Sequence, residues 1–506
     1  MVVNILSLLW RLSLVFVTIC VLETLGARSE FSRPDGRANN LHNILTLVTK
    51  WGYPIENHVV TTSDGYSLTL FRIPSLFEDP KKSPVFLQHG LVSCGGVFLA
   101  NKRSLAYSLY VEGYDVWIGN ARGTQFSQHH RKHLTNTKEF WDFSFHEMGI
   151  KDVPAVLQFI RARTGKSKIH YIGHSMGTTM FLVMASLLPE ELNHIDTVTL
   201  MAPVAVPKHM AAFASKIKRR LAYFTVKNLR NIGMQRHKQQ KWLGRFVYKT
   251  CEANNFVGRM CKKIFCDSQN EVLVAQVVLK EDETLKNTRE SGEIEENNET
   301  IESVAGPIRI LREGPITVDK VCYPSKFDHA NAEEAIEYFF DGTSWKTHQH
   351  FLQVIEAGRF QKFDYEKDNP KEYDGRTTPD IYPIKNIKKR IYLMSGGKDT
   401  VALTEDVRWL HDRLQDSWLI EEGFQEFTHD SFHLGEDVQR VFITVLRIIH
   451  SSEAGVEPSG LPENVVKRKV PPTEDSEPGT IQKKTTKKWF SWSKSSSKLD
   501  ENPKGI

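Results

Sequence analysis

The sequence predicts an α/β fold, with a mostly parallel central sheet flanked by helices and an inserted, mainly helical cap. Residues 28–204 alternate between strand-like and helix-like segments, and residues 346–452 return to that pattern. Such alternation is typical of a parallel sheet whose crossover connections are helices. Residues 205–345 interrupt the alternation, so we expect the cap or lid there.

A short apolar strand leads into Gly-His-Ser-Met-Gly at residues 173–177. The apolar run 169–172 precedes this sequence, and a helix-like segment, 178–188, follows it. A serine on such a strand-to-helix turn has a strained backbone and an exposed hydroxyl. The flanking glycines let the turn approach neighbouring backbone without a Cβ clash. Ser175 is therefore the candidate nucleophile of an ester hydrolase, although the five-residue pattern alone also fits a plain Gly/Ser loop.

A second predicted strand, residues 84–88, ends at His89-Gly90-Leu91. In the α/β-hydrolase fold, the loop after this strand supplies one backbone N–H of the oxyanion hole. The residue after the nucleophile supplies the other. The sequence therefore predicts Leu91 and Met176 as the two donors, with a plain strand-to-loop turn at residues 89–91 as the alternative.

A third predicted strand, residues 390–394, is followed by Ser-Gly-Gly-Lys-Asp. An acid on a glycine turn at a strand end is suited to orienting a catalytic imidazole. We predict that Asp399 has this role. An ordinary turn aspartate is the alternative, and Asp406 is the nearest competitor, inside a predicted helix over 403–414.

Residues 426–435 contain two histidines, His429 and His433. The chain order Ser, Asp, His is typical of α/β-hydrolases and differs from that of other serine hydrolases. His429 directly follows a short apolar strand end and a polar residue, and we favour it as the general acid/base. His433 lies four residues later, close to a predicted final helix over 438–450, and stays the alternative.

Six stretches match signatures of one known family. They are residues 51–54 with 61–66, 89–91, 119–123, 140–149, 173–177, and 396–399 with the histidine that follows. Together they resemble the animal acid lipases, which are gastric- and lysosomal-type lipases and their insect relatives. The resemblance extends over about residues 40–452. It implies that Ser175, Asp399 and His429 are the catalytic residues, although Ser431 stands where the family usually has an aspartate.

The resemblance implies a serine lipase that hydrolyses carboxylic esters of neutral lipids at a lipid–water interface through an acyl-enzyme. Triacylglycerols or cholesteryl esters are the implied substrates, and an acid pH optimum is implied as well. No metal or cofactor is expected. We interpret the signatures at residues 120–123 and 141–149 as structural. In the second of them, His146-Glu147 has no third ligand at metal-binding spacing and so does not indicate a metal site.

Two other functions stay open. The same triad could serve a short-chain carboxylesterase or thioesterase, which the acyl-chain profile would distinguish. The second is a non-catalytic lipid-binding protein on a lipase scaffold. Such a protein typically lacks part of the triad, whereas all three candidates are present here.

Residues 1–27 are predicted to be a cleaved signal peptide. Arg11 precedes an apolar stretch, 12–22, and small residues follow at 26–27. The apolar stretch is too short to span a bilayer, although an uncleaved anchor is the alternative. We therefore expect a secreted, extracellular or lysosomal protein.

The chain has six cysteines, a number that agrees with secretion. The family has a disulfide of similar close spacing, so the resemblance implies a Cys251–Cys261 bridge. Cys94 lies beside the predicted oxyanion loop, and we expect a buried free thiol there. Asn298 begins the only N-x-S/T sequon and is the candidate glycosylation site.

Charge is unevenly distributed along a chain of 506 residues with a formal net charge of +5. Residues 205–250 contain twelve Lys or Arg and no Asp or Glu, interleaved with aromatics. A basic cap of this kind suits an anionic lipid surface, and a solvated basic face is the alternative. Residues 281–300 form an acidic insertion, and residues 453–506 are predicted to be a disordered basic tail rich in Ser, Pro and Lys. Peripheral membrane contact through the cap or the tail is one interpretation, and for the tail a solvated segment is the favoured alternative. Nucleic-acid binding is not expected.

Overall fold

The computed structural model describes residues 35–75, 79, 81–99, 104–210, 216–231, 233–237, 338, 341–434, 437–462 and 464–469. The predicted signal peptide, the Cys251–Cys261 bridge, the Asn298 sequon and the acidic insertion lie outside these residues. Cys94 is buried and unbridged, as predicted.

A ten-stranded sheet forms the centre of the described structure. The described residues contain twelve strands, of which all but β8 and β9 belong to this sheet. They are β1 Glu56–Thr61, β2 Tyr66–Ile73, β3 Val85–Gln88, β4 Val116–Gly119, β5 His129–His130, β6 Ile169–His174, β7 Ile195–Met201, β8 Arg236–His237, β9 Thr343–Ser344, β10 Ile391–Met394, β11 Asp416–Ile420 and β12 Val466–Lys469. Their order across the sheet is β1-β2-β4-β3-β6-β7-β10-β11-β12, with β5 paired to β2, while β8 and β9 form a separate pair.

Helices alternate with the strands of the sheet along most of the described chain. They are α1 Asp35–Lys50, α2 Leu105–Val111, α3 Phe145–Glu147, α4 Val153–Thr164, α5 Met176–Leu187, α6 Lys216–Asn231, α7 Trp345–Ala357, α8 Asn369–Glu372, α9 Thr404–His411, α10 Ser431–Leu434 and α11 Val438–Glu453. Among the described residues, no helix is both long and apolar enough to cross a membrane.

Six adjacent strands of the sheet are parallel to one another, in the order β4-β3-β6-β7-β10-β11. The pairs outside this group, β1–β2, β2–β4, β2–β5 and β11–β12, are antiparallel. Every residue of β3, β4, β6 and β10 is buried. Strands covered on both faces are expected in a parallel sheet flanked by helices. The predicted α/β class is therefore confirmed, and the carboxyl ends of β3, β6 and β10 lie at one edge of the sheet.

A long insertion separates two paired strands. Strand β7 ends at Met201 and its partner β10 begins only at Ile391. The predicted cap, residues 205–345, falls inside this interval, and its boundaries stay a prediction. In the described part, Val226 of α6 packs on Leu352 and Ile355 of α7.

The prediction that residues 453–506 are disordered is wrong for the first part of this segment. Helix α11 continues to Glu453, and residues 466–469 form strand β12, paired antiparallel to β11. The Lys467 ammonium lies 3.8 Å from the ring centroid of Trp418, and Arg468 Nε donates to the carbonyl of Leu414. Charged residues are common on edge strands because their side chains reach solvent, so the basic composition did not indicate the strand.

Arg122 holds the loop after β4 through a buried ion-pair network. Its Nε and Nη2 donate to Asp152 at 2.8 and 2.5 Å, and its Nη1 donates to Asp64 at 2.7 Å. The guanidinium carbon lies 4.0 Å from the ring centroid of Tyr66. Only 1% of Arg122 is exposed. This geometry supports the structural interpretation of the signature at residues 120–123.

We expect Arg122→Met to destabilise the fold by about 3–5 kcal/mol, because it leaves the Asp152 carboxylate buried without its partner. Urea unfolding of purified protein would measure the change. Arg408→Met is the matched control, since Arg408 pairs with Glu421 at the surface and its loss should cost no more than about 1 kcal/mol. Equal effects of the two substitutions would contradict a structural role for Arg122.

Candidate active site

Ser175 lies on the sharp turn between β6 and α5. Its backbone has φ 52° and ψ −118°, a conformation that non-glycine residues rarely adopt. The Ser175 N–H donates to the carbonyl of Met201 at 3.1 Å, which fixes the turn to the neighbouring strand. Helix α5 begins at Met176, two residues before the predicted start, because the strained residue is itself the N-cap. This is the expected geometry of a nucleophile elbow.

Two glycines permit the close packing around this turn. A Cβ at Gly177 would overlap the carbonyl oxygen of Gln88 at the end of β3. A Cβ at Gly90 would lie 2.9 Å from the Cβ of Ser175. Glycine is required at both positions because the backbones approach too closely for any side chain. The loop after β3 therefore lies directly against Ser175.

Asp399 lies on the turn after β10, where the sequence predicted it. Its Oδ1 accepts the backbone N–H groups of Val401 and Ala402, each at 2.8 Å. The turn is also tied to the histidine loop, because the Lys398 N–H donates to the carbonyl of Phe427 at 3.0 Å. The Asp399 carboxylate is thus held in one orientation by neighbouring backbone.

His429 connects the other two predicted residues. Its Nδ1–H donates to Asp399, with oxygens at 2.9 and 3.1 Å, and its Nε2 lies 2.7 Å from Ser175 Oγ. Ser175 is 7% exposed and Asp399 4% exposed, so these hydrogen bonds are largely shielded from water. The structure therefore brings Ser175, His429 and Asp399 together in the order that proton transfer from the serine requires.

The two alternative candidates, His433 and Asp406, make other contacts. The His433 ring packs edge-on against His174 and Phe98, with centroids at 4.2 and 4.8 Å. Asp406 accepts both the backbone N–H and the Nδ1–H of His209, at 3.0 and 2.7 Å. His433 is in the short helix α10 rather than at the start of the final helix.

The histidine loop is fixed by contacts that the sequence did not indicate. Ser431 Oγ accepts the backbone N–H of Thr428 at 3.0 Å and lies 2.8 Å from the Thr428 hydroxyl. The Nε2–H of His174 donates to the carbonyl of His429 at 2.8 Å. A serine at position 431 thus supports the loop where the family usually has an aspartate. The Gly-His-Ser sequence contained His174, but nothing in it indicated a partner 255 residues away.

The environment of His429 favours its protonated form. Burial lowers the pKa of His429, but the charge and hydrogen bond of Asp399 outweigh it and raise the net pKa above the ordinary value. Burial instead lowers the pKa of His433 to about 3 and that of His89 to about 4. Of these three imidazoles, His429 is the one suited to receiving a proton.

The two predicted oxyanion donors flank the serine. Met176 is the first residue of α5, where backbone N–H groups have no acceptor within the helix. Leu91 directly follows Gly90, the residue in close contact with Ser175. The His89 ring orients this loop, since its Nδ1–H donates to the carbonyl of Gly90 at 2.8 Å and its Nε2 accepts the N–H of Ala121 at 3.0 Å.

Comparisons with known proteins identify the family. Residues 44–102 match the partial alpha/beta-hydrolase lipase region, and residues 83–250 match the alpha/beta hydrolase fold. Lipase 3 of Drosophila melanogaster is 31% identical over 417 residues, which cover 79% of this chain and 91% of that protein. The chain belongs to the animal acid lipase family. Gastric triacylglycerol lipase of Bos taurus is 30% identical, over 74% of this chain and 82% of that protein.

A third relative is another mammalian protein. Tear acid lipase-like protein of Mesocricetus auratus is 29% identical, over 80% of this chain and 90% of that protein. Family membership makes the chain a hydrolase that acts on esters, with the α/β-hydrolase fold that the sequence predicted.

Proposed function

We propose that this acid lipase hydrolyses carboxylic esters of neutral lipids through an acyl-enzyme on Ser175. The observation that carries the proposal is the 2.7 Å distance between Ser175 Oγ and His429 Nε2. On the other side of the same imidazole ring, Nδ1 contacts Asp399. A hydroxyl is a weak nucleophile unless an adjacent base takes its proton. The orientation of His429 by Asp399 supplies that base.

The reaction follows from these positions. Ser175 Oγ attacks the acyl carbonyl carbon while its proton moves to His429 Nε2. The carbonyl π electrons move onto oxygen, and they return when the C–O bond to the alcohol breaks. The departing alkoxide takes the proton from His429. Water then attacks the carbonyl carbon of the acyl-enzyme while His429 takes its proton. The bond from the acyl carbon to Ser175 Oγ breaks, His429 returns the proton to Ser175, and the fatty acid is released.

The charge that forms on the carbonyl oxygen needs fixed donors. We assign this role to the backbone N–H groups of Leu91 and Met176. Such donors stabilise the transition state by roughly 3–4 kcal/mol each, because they do not need to reorient during the reaction. The contact of Gly90 with Ser175 supports the assignment of Leu91.

Triacylglycerols and cholesteryl esters are the substrates we propose, in part because a relative with 30% identity is named a gastric triacylglycerol lipase. We further propose that the enzyme acts outside the cytosol, in the extracellular space or the lysosome, after removal of residues 1–27. Expression in a secretory host, followed by N-terminal sequencing of the secreted protein, tests the route.

The outer face of α6 supports docking at a lipid–water interface. Ile217, Leu221 and Phe224 recur at helical spacing and are 79%, 63% and 65% exposed. The neighbouring Arg220 is exposed as well. The opposite face is anchored, because Arg219 pairs with Glu356 and Val226 packs on Leu352 and Ile355. An apolar stripe beside basic residues on a fixed helix is suited to an anionic interface.

We expect the double variant Leu221→Gln with Phe224→Gln to bind anionic lipid vesicles about tenfold more weakly than wild type, because it removes apolar area from the stripe. Its turnover of a soluble butyrate ester should be unchanged. Val111→Gln is the matched control, since Val111 is 71% exposed but lies on α2. Equal vesicle binding by all three proteins would rule out α6 as the docking surface.

The raised pKa of His429 predicts the pH dependence of turnover. His429 must be neutral to accept the serine proton, and the Asp399 carboxylate favours its protonated form. For a soluble ester, kcat/KM should therefore fall as the pH decreases, with an inflection above the ordinary histidine value of 6.5. This expectation is opposite to the acid pH optimum that the family resemblance implies. A pH profile of the wild type measures this inflection. Constant kcat/KM well below that pH would contradict the proposed state of His429.

The acyl-chain profile separates this function from its alternatives. We would assay p-nitrophenyl esters from butyrate to stearate, together with emulsified triolein and cholesteryl oleate. Preference for long chains and emulsions supports the lipase. Turnover restricted to butyrate favours a short-chain esterase, and lipid binding without turnover favours a carrier.

A further inference from the structure

The loop that carries Leu91 is tied to a distant part of the chain that includes Tyr338 and residues 341–342. The Asp341 N–H donates to the carbonyl of Val92 at 2.9 Å, and the Cys94 N–H donates to the carbonyl of Tyr338 at 3.3 Å. Ser93 Oγ donates to the same carbonyl of Tyr338 at 3.2 Å. Three consecutive residues after Leu91 thus bond to this segment.

The first of these contacts stabilises an unusual backbone. Val92 has φ 50°, in the left-handed region that a β-branched residue rarely occupies. Such a conformation persists only when the surrounding structure enforces it. The Leu91 N–H belongs to the peptide unit between Gly90 and Leu91, whose carbonyl accepts the Nδ1–H of His89. The bond from Asp341 to the Val92 carbonyl fixes the chain on the other side of Leu91, so His89 and Asp341 together hold this residue in place.

The Asp341 side chain fixes the segment that makes this bond. Its Oδ1 accepts the backbone N–H of Gln125 at 2.8 Å and that of Gly342 at 2.5 Å. Gln125 in turn donates from Nε2 to Cys94 Sγ at 3.6 Å. The carboxyl thus joins the segment to the loop after β4 and, through Gln125, back to Cys94.

Asp341 is a costly residue to bury in this position. It is fully buried, and burial raises its pKa to about 6. Hydrogen bonds from the side chains of Cys94 and Gln125 offset part of that rise in pKa. Burying an acid is nevertheless unfavourable, and strained groups tend to occur next to functional sites.

We propose that Asp341 is a positioning residue for the oxyanion loop: its carboxyl anchors residues 341–342, so that its N–H holds Val92 and fixes the chain directly after Leu91, the proposed oxyanion donor. This inference rests on the proposed hydrolase function. It assigns to the chain a residue that acts on the transition state without touching the substrate.

The variants Asp341→Ala and Asp341→Asn test the proposal on a soluble p-nitrophenyl ester, with rates normalised to phosphonate-titrated active sites. Asp341→Ala keeps the backbone N–H but loses the acceptor, so we expect kcat to fall by about 10- to 100-fold with KM within about threefold. Asp341→Asn keeps an oxygen that can accept both N–H groups, and we expect kcat within about threefold of wild type.

Asn369→Ala is the control for loss of stability alone. Asn369 is buried and bonds the backbone of Tyr365 and Thr377, remote in sequence from the oxyanion loop. We expect it to lower Tm without lowering kcat. If Asp341→Ala does not fold, Asp341→Ser, with a shorter acceptor, should give an intermediate decrease in kcat.

Two results would overturn the proposal: an unchanged kcat in the folded alanine or serine variant, or a decrease that the asparagine variant does not rescue. Absence of phosphonate labelling and turnover in the wild type would instead refute the hydrolase function on which the proposal depends.

Discussion

Ser175→Ala is expected to lower kcat for p-nitrophenyl esters by about 10⁵- to 10⁶-fold, because the acyl group then has no oxygen to which it can transfer. KM should change little, since the acyl-binding surface and the oxyanion loop are intact. The residual rate comes from oxyanion stabilisation of direct attack by water. Steady-state kinetics with each ester measures the loss.

Ser186→Ala is the matched control for this substitution. Ser186 is buried on the same helix, α5, and its hydroxyl donates to the carbonyl of Val183. It should retain full kcat. If Ser175→Ala retained more than about a hundredth of the wild-type rate after removal of contaminating esterase, another residue would have to be the nucleophile.

His429→Gln should lower kcat by about 10⁴- to 10⁶-fold, because glutamine cannot take the serine proton at neutral pH. Its amide can still hydrogen-bond, so the loop should keep its fold. His433→Gln is the matched control, only four residues away. It should keep kcat within about tenfold, since His433 packs on Phe98 and His174.

The two histidine variants give opposite results under the alternative assignment. A large loss in His433→Gln, with near-normal turnover in His429→Gln, would transfer the acid/base role to His433. Equal and large losses would mean that the loop, rather than one imidazole, limits the reaction. The pH profile of each variant separates these cases, because only loss of the base removes its inflection.

Local sequence patterns predicted the parts of the fold that meet at Ser175. The strands at residues 84–88, 169–172 and 390–394 are present with small shifts at their ends. Each is a short, mostly apolar run with a glycine one or two residues beyond its end, and the apolar run reflects burial on both faces of the sheet. The chain order of serine, aspartate and histidine then sufficed to nominate three residues that the structure brings within hydrogen-bond distance.

Contacts between distant residues could not be predicted in this way. Asp341 and Val92 are 249 positions apart in the sequence, and neither belongs to a recognisable motif. Strand β12 was missed because lysine and arginine are equally compatible with a disordered tail and with a solvated edge strand. A local sequence pattern indicates whether a segment is buried. The contact between Asp341 and Val92 and the pairing of β12 depend instead on which other segment lies beside each of them.

Titration with an active-site-directed phosphonate is the direct test of Ser175 as the nucleophile. We expect one equivalent of label per folded chain, located by mass spectrometry on the peptide that contains Ser175, and loss of that adduct in Ser175→Ala. Labelling of a different serine, or no labelling of folded wild-type protein, would contradict the assignment of Ser175 as the nucleophile.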